Sequence, residues 1–320
     1  MVCNMIFEFR KDTKIYVAGH KGLIGSAFIR YFVKNGYTNL LTKERSNLDL
    51  FSKEETQSFF KKNQPDIVIL AAGKTGGIKA NRDFPADFIN ENLAIQQNVI
   101  SAAHENKVKK LLFFGSSCMY PKNLNQLMSE NQLGKGQLES TSIAYATAKL
   151  AGVEMCQSYN RQYNKTSFIS VIPNSAYGPN DNFDLDSSHV LSALISRIHQ
   201  AKVYNMPSVS LWGSGSPRRE FIYVDDIVSA CTKIIKSELS YSQLPINIGV
   251  GQDISIKQLA EKIKKITGYN GFIEWDLTKP DGAPRKLLDN SRINSIGWDS
   301  KIEIDKGLEL TYQWFLKNKA

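Results

Sequence analysis

From Lys14 onward, short apolar runs alternate with longer amphipathic stretches, and this alternation limits the possible folds more than any other feature. The runs Ile15-Tyr16-Val17-Ala18, Leu40-Leu41, Ile67-Val68-Ile69-Leu70, Leu111-Leu112-Phe113-Phe114 and Phe168-Ile169-Ser170-Val171-Ile172 are almost wholly apolar, as strands covered on both faces must be. Helical stretches lie between them, at about Leu23 to Lys34, Lys53 to Lys62, Pro85 to Glu105 and Ala144 to Tyr163. The succession reads as βαβ units and predicts an α/β chain built on a Rossmann-like, doubly wound parallel sheet. After Pro173 the alternation loosens. Loop-rich segments, Asn174 to Pro179 and Leu211 to Arg219, are interleaved with helices near His189 to Gln200 and Ile256 to Thr267. At 320 residues the chain is long for one wound sheet. Residues 1–175 are expected to form a nucleotide-binding domain to which later segments return, and residues 176–320 a smaller α/β domain that mainly binds substrate.

Composition removes several classes of function. Hydrophobic residues make up 42% and charged residues 22%, the balance of an ordinary soluble globular protein. No run is long enough for a membrane span. Glu8, Arg10, Lys11 and Asp12 interrupt the N-terminal apolar patch that a secretory signal would need. Cys3, Cys118, Cys156 and Cys231 lie far apart with no paired spacing, which argues against a disulfide framework or a metal site and predicts a cytoplasmic protein. The formal net charge of +9 is spread along the chain with no basic arm, so no nucleic-acid partner is expected. A small anionic ligand accounts for the charge as well as a plain basic surface does.

Gly19-His20-Lys21-Gly22-Leu23-Ile24-Gly25 follows the first strand and opens the first helix. Glycines there allow a tight turn and a close approach of backbone to a pyrophosphate, whose charge is met by the free N–H groups and dipole of the helix. A dinucleotide cofactor is therefore expected at Gly19, Lys21, Gly22, Leu23, Ile24 and Gly25. The end of the second strand, Thr42-Lys43-Glu44-Arg45, offers both an acid for a ribose 2′-hydroxyl and cations for a 2′-phosphate. Lys21 adds a cation beside Arg45, and the balance favours NADPH.

Tyr145-Ala146-Thr147-Ala148-Lys149 places a phenol and an ammonium one helical turn apart on one face. A neighbouring cation favours the ionised phenol, so the pair can move a proton. Taken alone the spacing is common in helices. Ser116, at the end of the fourth strand, adds a hydroxyl where open α/β sheets bind ligands. The glycine turn, Ser116, Tyr145 and Lys149 together resemble the extended short-chain dehydrogenase/reductase family. That resemblance implies a nicotinamide cofactor, with serine, tyrosine and lysine acting on a carbinol or ketone.

Further stretches are similar to one branch of that family, the 3,5-epimerase/4-reductases of GDP-4-keto-6-deoxy sugars. They are Gly19-His20-Lys21-Gly22, Gly76-Gly77-Ile78, Gly115-Ser116-Ser117-Cys118-Met119-Tyr120-Pro121, Ser158-Tyr159-Asn160-Arg161-Gln162-Tyr163, Trp212-Gly213-Ser214-Gly215 and Lys279-Pro280-Asp281-Gly282-Ala283-Pro284-Arg285-Lys286. The resemblance implies GDP-4-keto-6-deoxy-mannose as substrate, Cys118 as the base and His189 as the acid of epimerisation, with His189 also beside the cofactor. It implies that Tyr145 donates the proton at C4, that Ser116 hydrogen-bonds the carbonyl oxygen, and that Lys149 lowers the tyrosine pKa and holds the nicotinamide ribose. Val190, Leu194, Arg197, Trp212, Arg219 and Lys286 would form the nucleotide end of the pocket. A homodimer through the helices at Pro85 to Glu105 and Ala144 to Tyr163 is expected on the same ground.

One position departs from the branch. Where its members read Pro-Thr-Asn ahead of Tyr-Gly-Pro, this chain has Pro173-Asn174-Ser175-Ala176-Tyr177-Gly178-Pro179, so Ser175 replaces an asparagine beside the sugar. The shorter hydroxyl leaves room for a different hexose or a heptose. The alternatives are therefore a 4-ketoreductase of another GDP-4-keto-6-deoxy sugar, and a nucleotide sensor without turnover.

Overall fold

The computed structural model describes residues 9–320 apart from 123, 125, 165–167, 238, 240–243 and 280; Cys3, Glu8 and Pro280 lie outside the described residues. The chain runs β1 (Ile15–Ala18), α1 (Leu23–Lys34), β2 (Leu40–Leu41), α2 (Lys53–Asn63), β3 (Ile67–Leu70), α3 (Ile78–Asp83), α4 (Pro85–Glu105), β4 (Lys110–Phe114), α5 (Ile143–Gln162) and β5 (Phe168–Pro173). It continues through β6 (Ser175–Tyr177), α6 (Val190–Val203), β7 (Ser208–Trp212), β8 (Arg218–Arg219), β9 (Phe221–Tyr223), α7 (Val224–Lys236), β10 (Ile246–Ile248), β11 (Ile254–Ser255), α8 (Ile256–Thr267), β12 (Phe272–Asp276), β13 (Arg285–Lys286), α9 (Ser291–Asn294) and α10 (Ile304–Asn318).

Six strands form one parallel sheet in the order β10-β5-β4-β3-β1-β2. Strand order reverses between β1 and β3, and a doubly wound sheet opens its ligand crevice at such a point, beyond the C-terminal strand ends. The pleat sorts side chains onto two faces. Ile15, Val17, Ile67, Ile69, Leu112, Ile169 and Val171 meet Phe28 and Phe32 of α1 and Ile227 and Ile234 of α7. Tyr16, Val68, Leu70, Leu111 and Phe113 meet Phe59 and Phe60 of α2, Val99 and Ile100 of α4 and Val153 of α5. Each such fully buried side chain contributes roughly 1.5–3 kcal/mol, which is why β1, β3, β4 and β5 are almost unbroken apolar sequence, while the edge strand β2 is half-buried.

The first five strands and the four helices expected between them fall within a residue or two of the sequence expectation, while the short helix α3 (Ile78–Asp83) is additional to it. From β6 onward the strands are short and make three small sheets: β11-β8-β13, β12-β7 and β6-β9. A separate apolar cluster supports them, in which Leu191, Ile195 and Ile198 of α6 meet Leu259 and Ile263 of α8 and Leu308 and Phe315 of α10. Two later segments return to the large sheet: β10 extends it beside β5, and α7 covers it beside α1. No helix among the described residues is long and apolar enough to cross a membrane. Cys118, Cys156 and Cys231 are free.

Candidate active site

The turn between β1 and α1 is shaped as a cradle for a pyrophosphate. Gly19 has φ +79°, and a Cβ there would come within 2.8 Å of the Ala72 backbone nitrogen at the end of β3. A Cβ at Gly25 would lie 2.2 Å from the Gly19 carbonyl oxygen, so the helix can pack this tightly only with hydrogen at that position. Gly22 caps α1 with no side-chain hydrogen bond and no acid in the first turn, which leaves the helix N–H groups and positive dipole end for an anion. Leu23 and Ile24 pack their side chains on the core below. These residues fit a dinucleotide cofactor. The two cations expected at its adenosine end stand in ion pairs: Lys21 Nζ lies 2.6 Å from Glu44, and Arg45 reaches Asp49 and Glu91, each at 3.5 Å. All of these contacts are open to solvent on the Lys21 and Arg45 side, so a phosphate can compete for them.

Lys149 is buried, its Nζ 4.9 Å from the centre of the Phe113 ring and 5.8 Å from that of Tyr145. Burial pushes its ammonium down to about 8. The unfolded chain holds this proton more tightly, so the cost to folding is fully present below about pH 8 and fades as pH rises toward the ordinary lysine range. Lys149→Met should therefore stabilise the cofactor-free protein by roughly 1–3 kcal/mol near neutral pH, after allowing for the lost ring contact, even as it damages the site. Thermal melts near pH 7 and pH 10 check this. A lower melting temperature near neutrality, or a gain that does not shrink at high pH, would contradict it.

Tyr145 is half-buried and packs edge-on against Phe88, with ring centres 6.1 Å apart. Burial raises its phenol well above the ordinary tyrosine value, the Cys118 charge adds to the rise, and the Ser116 hydroxyl opposes it. The Lys149 cation lies against ring faces, and the balance of burial, Cys118 and Ser116 keeps the phenol on its protonated side. Tyr145 is thus shaped as an acid, where the sequence spacing suggested a phenol shifted toward its ionised form.

Cys118 sits in a short 3₁₀ turn (Ser117–Met119) that follows β4, and its backbone N–H donates to Ser116 Oγ at 3.2 Å. Burial alone would raise the thiol. The Lys286 ammonium, with Nζ 3.5 Å from Sγ, and the hydroxyls of Ser116 and Ser142 outweigh that, and the net shift is downward. Two groups in one site are thereby pushed apart, a thiol toward its anion and a phenol toward its neutral acid.

His189 is the N-cap of α6 and is exposed. The residues before it dock on the large sheet's side of the crevice: Gly77 N–H donates to Ser187 O at 3.0 Å, and a Cβ on Gly77 would strike Ser188 O at 2.4 Å. Beside His189 lies the buried carboxylate of Asp181, which accepts from Ser192 Oγ at 2.5 Å and from Asn182 N–H at 2.8 Å. Burial raises the Asp181 carboxyl, and the neighbouring His189 opposes that rise.

The nucleotide-end residues divide. Trp212 is 44% exposed, with the Arg197 guanidinium 5.8 Å and the Lys279 ammonium 5.7 Å from its ring, so it presents an aromatic surface between two cations. Arg219 is half-buried, its guanidinium against Gly282 and near the side chain of Ile78. Val190 is 38% exposed, whereas Leu194 is buried in the apolar cluster under α6. Lys286 is placed at Cys118. Ser175 is half-buried, and the preceding Asn174 donates its amide N–H to Glu220 at 2.6 Å while its side-chain oxygen accepts from the Ser175 N–H at 3.1 Å. The Asn174 amide therefore does not stand in for the asparagine that Ser175 replaces.

Ser142, Asp181 and Lys279 join the site without having been singled out from the sequence. Ser142 could have been found as the N-cap of the helix that carries Tyr145, and Lys279 as the first residue of the Lys279 to Lys286 stretch. Nothing local marks Asp181.

The model of the NAD dependent epimerase/dehydratase family matches residues 15–249. GDP-L-fucose synthase 1 of Arabidopsis thaliana is 50% identical over 309 residues, which span 96% of this chain and 94% of that protein. The solved structure of a GDP-6-OMe-4-keto-L-xylo-heptose reductase from C. jejuni is similar with a TM-score of 0.92 at 36% identity, over 98% of this chain and 100% of that one. A GDP-D-glycero-L-gluco-heptose synthase from Campylobacter jejuni, crystallised in the presence of NADPH, gives a TM-score of 0.89 at 36% identity, over 97% and 100%.

Proposed function

This chain belongs to the NAD dependent epimerase/dehydratase family, and from that premise we infer a nucleotide-sugar 3,5-epimerase and 4-reductase with GDP-L-fucose synthase activity. It converts GDP-4-keto-6-deoxy-mannose to GDP-L-fucose. The observation that carries the reading is the opposed pair Cys118 and Tyr145, a base-like thiol and an acid-like phenol in one site.

The substrate's 4-keto group acidifies the protons on C3 and C5. Cys118 takes such a proton as a thiolate, and His189 returns one from the opposite face to invert the centre. Bound in the Gly19 to Gly25 cradle, the nicotinamide cofactor supplies the hydride for C4. Tyr145 then gives its phenolic proton to the carbonyl oxygen, Ser116 hydrogen-bonds that oxygen, and Lys149 holds the nicotinamide ribose. Arg219 meets the diphosphate, while Trp212, between Arg197 and Lys279, offers a face to guanine.

We take the cofactor to be NADPH. The exposed Lys21 and Arg45 beside the second strand support this, as does the related heptose synthase crystallised with NADPH. A homodimer through α4 and α5 and a cytoplasmic location belong to the same reading, the latter supported by the free Cys118, Cys156 and Cys231.

A second reading is favoured by Ser175 and by the likeness to the heptose reductase: C4 reduction of another GDP-4-keto sugar. Product identity separates the two. Incubation with NADPH and GDP-4-keto-6-deoxy-mannose yields GDP-L-fucose by NMR on the first reading; no turnover of that substrate, with turnover of a GDP-4-keto-heptose, would replace it with the second.

A further inference from the structure

We propose that Lys286 is the positioning residue that keeps the Cys118 sulfur in its proton-accepting form, through the 3.5 Å contact of its Nζ with Sγ. The proposal rests on the reading of Cys118 as the epimerising base.

Backbone pairing aims Lys286. Strands β8 and β13 run parallel with Arg218 opposite Arg285 and Arg219 opposite Lys286. Arg218 and Arg285 both bind the carboxylate of Asp253, whose side chain is 4% exposed. Alternation along each strand then turns Arg219 and Lys286 to the other face, toward the crevice. Just beyond, Leu288 N–H donates to the fully buried Glu220 at 3.0 Å, and Glu220 also accepts from Val250 and Gly251 N–H at 2.7 Å each. The register of Lys286 is thereby fixed from both sides.

Several groups face Cys118: Ser116 from its own turn, Ser142 from the N-cap of α5, Tyr145 from α5 itself, Arg219 from β8 and Lys286 from β13. The Arg219 guanidinium also lies in the field of Asp281 and Glu139. Lys286 is the cation in contact with the sulfur. In the reaction the thiolate accepts the carbon-bound proton and becomes a thiol, while the lysine ammonium keeps its three protons.

The test needs no sugar. Alkylation of Cys118 by iodoacetamide, followed peptide by peptide in a mass spectrometer, gives the pH midpoint at which the thiolate forms; Cys156 and Cys231 are buried. Lys286→Met should raise that midpoint by about one pH unit or more, and Lys286→Arg should restore most of the shift. An unchanged midpoint in Lys286→Met, or an Arg variant displaced as far as the Met variant, would overturn the proposal. Because the readout is independent of turnover, an inactive wild-type protein would refute the proposed function and leave this result standing, and an unshifted midpoint in an active enzyme would refute only the role of Lys286.

Discussion

Tyr145→Phe is expected to lower the rate of ketone reduction by about 10²–10⁴-fold while leaving proton exchange at C3 and C5 in place. The ring stays where it is, because its edge-on contact with Phe88 does not involve the hydroxyl. Ser116 remains anchored by the Cys118 N–H. On the proposed assignment, what is lost is the phenolic proton that Tyr145 would give to the developing C4 alkoxide. Burial and the Cys118 charge both hold the phenol protonated, so the acid is present throughout the neutral range and its removal has no substitute. NADPH oxidation followed at 340 nm reports the reduction, and NMR in D₂O without NADPH reports the exchange. Equal loss of both would contradict the assignment.

The complementary change is Cys118→Ser, which should lower C3 and C5 exchange by about 10²–10⁴-fold and spare reduction. Serine is nearly isosteric, and Lys286 can still hydrogen-bond it. Its hydroxyl, however, ionises far above the thiol, and one ammonium and two hydroxyls cannot bring it into the neutral range. The expected product is a reduced sugar without inversion. A variant that exchanges both positions at the wild-type rate would place the base elsewhere, with Tyr145 the next group to test.

The parallel sheet could be read from the sequence because β1, β3, β4 and β5 are buried on both faces, a condition that leaves almost uninterrupted apolar runs. β10 could not. It has three residues, and it joins the sheet by pairing with β5 across more than seventy residues of intervening chain, a contact that local composition does not encode. The cofactor turn was legible for a local reason: Gly19 and Gly25 exclude any side chain by sub-van der Waals approach to neighbouring backbone. Tyr145 and Lys149 were legible as a pair on one helix face, but the direction of their shifts depends on burial. That burial pushes the lysine down and the phenol up, against the simple expectation of a cation assisting a phenol. The meeting of Lys286 with Cys118 was hidden altogether, since it depends on β13 pairing with β8. Asp181 was hidden likewise, an ordinary loop acid until folding buries it against the start of α6.

The central claim is that one site performs both inversion and reduction. Its most direct measurement is the position of deuterium in the product formed from GDP-4-keto-6-deoxy-mannose and NADPH in D₂O. GDP-L-fucose carrying deuterium at both C3 and C5, with protium at C4 delivered by the cofactor, is the expected product. A product reduced at C4 that retains protium at C3 and C5 would contradict it and leave a plain ketoreductase.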